Sequence, residues 1–112
     1  MPVVRNAAVA EVDNVKLSDY LLSLSHPVGR FKARFFLAIG FSPADVGPLR
    51  AELLRIAEES LDAEEIATPH GTKILARGIL TSPTGRTASI LTVWMIRTGQ
   101  TIPRFVTAYP DP

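Results

Sequence analysis

The chain has 112 residues, 46% of them apolar, so it can bury one core and is too apolar to be disordered. It contains no cysteine, which excludes disulfides and thiolate metal sites and is compatible with the cytoplasm. Its net charge of +1 gives no global attraction to nucleic acid.

Charge is nevertheless unevenly placed. Residues 26 to 34 carry Arg30, Lys32 and Arg34 and no acid. Residues 52 to 65 carry Glu52, Glu58, Glu59, Asp62, Glu64 and Glu65 against Arg55 alone. A basic face opposite an acidic helix is one reading, and ordinary solvated surface is the other. The first residues, Met1 to Ala7, lack the basic start and apolar run of a signal peptide, and no window approaches the ~20 apolar residues of a membrane span. The expectation is a cytoplasmic chain with no membrane partner. A larger secreted carrier is also compatible with a domain of this size.

In chain order, Leu17, Tyr20, Leu21 and Leu24 fall on one stripe and predict a first helix over 16–24, capped by Asp13 or Asn14 and ended by Pro27 and Gly29. A second helix is predicted over 30–39. Phe31, Phe35 and Ile39 form its buried stripe, Phe36 widens it, and Gly40 is its C-cap. Ser42-Pro43-Ala44-Asp45 is a turn. A third helix follows, with Pro48 at its first position, Leu49, Leu53 and Ile56 facing the core, and an end near Ser60.

The period then changes. Residues 73–81, 86–96 and 102–109 are β-prone, separated by Ser82-Pro83-Thr84-Gly85 and Arg97-Thr98-Gly99-Gln100. Residues 61–70 offer an edge strand before Pro69-His70-Gly71. The prediction is a single α+β domain over 1–112, with two or three N-terminal helices packed on one face of a three- to four-stranded antiparallel meander.

The chemistry concentrates in His26-Pro27-Val28-Gly29-Arg30-Phe31-Lys32-Ala33-Arg34. An imidazole can exchange a proton at neutral pH, and a lysine can stabilise charge on a phosphoryl oxygen. A turn histidine is also a common surface residue or cap. Backbone N–H groups at Gly29-Arg30-Phe31-Lys32, with Arg30 and Arg34 beside them, suit an anion; the same cations also serve to solubilise an aromatic helix. Strict alternation puts Phe105, Thr107 and Tyr109 on one strand face. If Phe105 points to the core, the two hydroxyls follow it toward the helices and His26. Arg86, straight after a turn, either binds phosphate or is merely exposed. With only His26 and His70 and no cysteine, nothing predicts a metal site or another cofactor.

Two blocks, Asn6-Ala7 with Lys16-Leu17-x-x-Tyr20-Leu21-Leu22 and His26-Pro27-x-Gly29-x-x-Lys32-Ala33-x-Phe35-Phe36, resemble a small bacterial domain family of no known activity. The resemblance continues through Gly85-Arg86, Val93-Trp94-x-Ile96 and Pro103-Arg104-x-x-Thr107-Ala108-Tyr109. It implies a toxin–antitoxin context. A looser resemblance is to the barnase–EndoU–colicin–RelE group of RNase toxins, which place helices before a four-stranded sheet and end a late strand in Thr-Ala-Tyr-Pro. That resemblance implies a metal-independent endoribonuclease acting on RNA by 2′-hydroxyl transesterification. His26 would be acid or base, Lys32 and Arg86 would stabilise charge, and Thr107 and Tyr109 would orient the phosphate or share proton transfer. The alternative is a non-catalytic binding module, the antitoxin or immunity half of such a pair, using the acidic third helix and Trp94 as surfaces toward a cognate toxin. A housekeeping fold without an enzymatic role is a third reading.

Overall fold

Residues 3–27 and 29–111 are described by a computed structural model, Phe31 for its backbone only, so the expected burial of the Phe31 side chain lies outside the described residues. Three helices pack against a four-stranded antiparallel sheet, an α+β fold. The first helix, α1, covers Asn14–Lys16 and widens into a π-helical turn over Leu17–Leu21. Helices α2 and α3 follow at Gly29–Ala38 and Val46–Glu59. The strands β1 (Ala63–Thr68), β2 (Gly71–Thr81), β3 (Thr87–Arg97) and β4 (Arg104–Pro110) lie in sequential order, each antiparallel to the next.

The first helix ends sooner than its stripe predicts. Asp13 caps it by accepting from the Val15 N–H, and Leu22 N–H reaches back five residues to Leu17 C=O at 2.9 Å. That wide turn buries Leu17, Leu21 and Leu22 and leaves Leu24 exposed. In α2, Phe36 and Ala33 are fully buried, while Phe35 and Ile39 are half-buried. Gly40 ends the helix as predicted, with φ +113°. Its N–H bonds Leu37 C=O and the next N–H, of Phe41, bonds Phe36 C=O, while the rings of Phe36 and Phe41 meet edge-on at 6.4 Å between centroids. This is a Schellman end with its hydrophobic contact. Pro48 is the third helical residue rather than the first, still within the turn whose N–H groups lack intrahelical partners.

Leu49, Leu53, Ile56 and Ala57 bury the inner face of α3. Ile56 lies so close to the sheet that a Cβ on Gly78 would meet it at 2.8 Å. The sheet contributes Ile74, Ala76, Leu80, Ile90, Trp94, Ile96, Phe105 and Ala108 to the same core. Trp94 is fully buried, its indole N–H donating to Thr92 Oγ1 at 2.8 Å, so it offers no partner surface. The outer edge of β4 is covered near its start, where Glu11 bridges to it and Lys16 Nζ donates to Val106 C=O at 3.0 Å.

The acidic helix is partly neutralised from within. Arg55 bonds Glu52 and Glu59 on its own helix, and Glu52 also accepts the Thr81 N–H at 2.8 Å, tying α3 to the end of β2. The hydrogen bonds from Arg55, opposed by burial and aided by the Thr81 N–H and the Arg55 charge, hold the Glu52 carboxyl below its ordinary value of 4.5. Its contribution to stability is therefore whole above that value and is lost as pH falls through the lower folded value. Glu52→Gln should cost about 1–2 kcal/mol in urea denaturation at pH 7, and the gap to wild type should close in acid below 4.5. A gap independent of pH would contradict this role.

Candidate functional site

The His-Pro-x-Gly turn is built by its own residues. Gly29 N–H donates to His26 Nδ1 at 2.8 Å, and Arg30 N–H donates to His26 C=O at 3.1 Å. His26 thus caps the start of α2. A neutral imidazole that accepts at Nδ1 carries its proton on Nε2. Gly29 is required here because a Cβ would stand 2.2 Å from Tyr20 C=O. That close approach brings the π-helical turn against α2, and the rings of Tyr20 and His26 meet edge-on with centroids 5.1 Å apart.

Lys32, one turn into α2, joins the elements. Its Nζ donates to Tyr20 Oη at 2.9 Å and to Thr107 Oγ1 at 2.5 Å. It also stands 5.2 Å from the Tyr20 ring centroid and 5.4 Å from that of Tyr109. Among the described residues, no carboxylate pairs with this ammonium. Beside the cluster is a cavity of about 540 Å³ lined by Lys16, Asp19, Tyr20, His26, Val106 and Thr107.

A β-bulge determines how the strand hydroxyls reach Lys32. Phe105 opposes Trp94 and Thr107 opposes Val93, so Val106 is an extra residue. Phe105 and Ala108 therefore share the core-facing side with Trp94 and Thr92, whereas Thr107 and Tyr109 lie on the other face with Val93 and Leu91. The two hydroxyl residues do not follow Phe105, contrary to strict alternation. They meet Lys32 because β4 is an edge strand and the Lys32 side chain reaches its Thr107 hydroxyl and Tyr109 ring.

The structure thus brings His26, Lys32, Thr107 and Tyr109 together, with Tyr20 as a further member that its place on an apolar stripe concealed. Arg86 is elsewhere. It precedes β3 and donates to Ala38 C=O at 3.0 Å, anchoring the far end of α2. Val93, the partner of Thr107, lies six positions along β3 from Thr87, about 20 Å of strand. Arg30 and Arg34 are exposed on α2. His70 sits in the exposed β1–β2 turn, and among the described residues no three His, Asp or Glu side chains form a metal-ligand set.

The chain belongs to the DUF6883 family, a domain of unknown function, whose model matches residues 4–112. No curated protein matches the DUF6883 chain. Its fold is similar to a chain of a contact-dependent growth inhibition toxin–immunity protein complex from Klebsiella pneumoniae 342, with a TM-score of 0.69. That match covers 95% of this chain and 97% of the other at 16% identity, so the likeness is one of fold. No helix among the described residues is long and apolar enough to cross a membrane.

Electrostatics single out Tyr20 within this cluster. Burial pushes its phenol up, but hydrogen bonds with Lys32 and Thr107 and the charges of Lys32 and Lys16 outweigh it, leaving Tyr20 below the ordinary 10.0. The chain has only two tyrosines, so ultraviolet titration can resolve them. Tyr20→Phe should remove the phenolate transition that begins below 10.0, and Lys32→Met should move it upward. A wild-type Tyr20 transition at or above 10.0 would contradict the arrangement.

Proposed function

We propose that this domain is the ribonuclease half of a toxin–immunity pair. The observation that carries the reading is the Lys32 ammonium, fixed by two hydroxyls, set beside two phenol rings and matched by no carboxylate among the described residues. Such a cation is an anion site with built geometry. An ammonium has three donors, and Tyr20 and Thr107 take two, leaving one for a phosphate oxygen. The fold likeness to a chain from a toxin–immunity protein complex supports the setting and a protein partner.

In the reaction, the RNA 2′-oxygen forms a bond to its own phosphorus and the bond to the 5′-oxygen breaks, giving a cyclic phosphate and a 5′-hydroxyl. Tyr20, acting as the phenolate that the Lys32 charge favours, takes the 2′-hydroxyl proton and becomes the phenol. Tyr109, across Lys32, returns a proton to the leaving 5′-oxygen. Lys32 stabilises the charge that builds on the phosphorane, Thr107 orients the phosphate, and His26 donates from Nε2. The step uses side chains alone. Arg86, engaged with Ala38, has no part in it.

Purified protein in chelator should cut single-stranded RNA to cyclic-phosphate and 5′-hydroxyl ends, identified by mass spectrometry. Lys32→Met should lower kcat by about 100-fold or more, and Tyr20→Phe by a similar factor. Intact RNA with folded wild type, or full activity in Lys32→Met, would refute the assignment.

A further inference from the structure

A second cavity, of about 590 Å³, adjoins the first and shares Lys16 and Val106 with it. Its cations are Lys16, Arg97 and Arg104, with His70 beside them, and no carboxylate lines it. Two of the three are held in place: Lys16 Nζ bonds Val106 C=O, and Arg104 is braced at 2.6 Å by Glu11 on the rim. The Arg97 guanidinium forms no hydrogen bond or ion pair with a described residue. Strand register puts it on the same sheet face as Met95, Arg104, Thr107 and Tyr109. Arg104 precedes Thr107 by three residues, about 10 Å along β4. An extended strand with its scissile phosphate at Lys32 can therefore pass Val106 and set a neighbouring phosphate here.

We infer that this cavity is a subsite for a second backbone phosphate of the same single strand, with Arg97 its principal contact and Lys16 bridging the two sites. The inference rests on the ribonuclease reading for the first phosphate, but its test does not need cleavage. The probe is a short fluorescent single-stranded DNA, which lacks the attacking 2′-hydroxyl, followed by anisotropy over a range of salt. Arg97→Gln should weaken binding about 3- to 10-fold and reduce the salt slope by about 0.7. Arg5→Gln removes the same charge from the ion pair with Glu65, on the helix side of the sheet, and should bind as wild type. Equal effects of the two substitutions would overturn the subsite. So would a wild type that does not bind the DNA, which would leave this face to a protein partner. Arg97-dependent binding with RNA left uncut would keep the subsite and remove the ribonuclease reading. RNA cleavage with Arg97-independent binding would do the reverse.

Discussion

One ammonium group joins three parts of the chain that are far apart in sequence. Lys32 on α2 bonds Tyr20 in the π-helical turn and Thr107 on β4. Each charge-assisted hydrogen bond is worth about 1.5–3 kcal/mol when intact. The partners are hydroxyls and ring faces rather than a carboxylate, so the cation is positioned without being neutralised. A structural ion pair would serve stability at least as well. An unneutralised cation instead retains attraction for an incoming anion.

Three local backbone features converge on this group. The π-helical turn shifts Tyr20 relative to an α-helical path, and Gly29 lets its carbonyl approach the start of α2. The bulge at Val106 turns Thr107 and Tyr109 away from the core side and onto the face where Lys32 meets them. Irregular helices and bulged edges cost regular hydrogen bonding, and they are over-represented where a side chain must be aimed. The cationic cavity of Lys16, Arg97 and Arg104 begins at the same bulge.

Most of the fold was legible in local pattern. The stripe Leu49, Leu53, Ile56 and the Gly40 end depend on nearest-neighbour physics and came out as read. The antiparallel meander did too, because Gly and Pro punctuate it; of the three or four strands expected, the structure has four. The site was legible by residue type more than by arrangement. His26, Lys32, Thr107 and Tyr109 stood out as polar groups that a core does not need. Tyr20 did not, because its ring satisfied an apolar stripe while its hydroxyl did other work. A period-of-two reading cannot see a bulge, so it gave Thr107 the wrong face. Nor can it see that Arg86 is taken up by a helix end whose position depends on the tertiary fold.

On the function proposed above, Lys32 is the anion-binding centre of the molecule. Its most direct test is a titration of the labelled protein with inorganic phosphate, following the side-chain ammonium signals by nuclear magnetic resonance. The lysines are only Lys16, Lys32 and Lys73, which keeps the spectrum assignable. The Lys32 ammonium and the His26 ring should shift together along one saturable curve, while Lys73 stays still. A Lys32 signal unmoved by phosphate, in a folded protein, would contradict it.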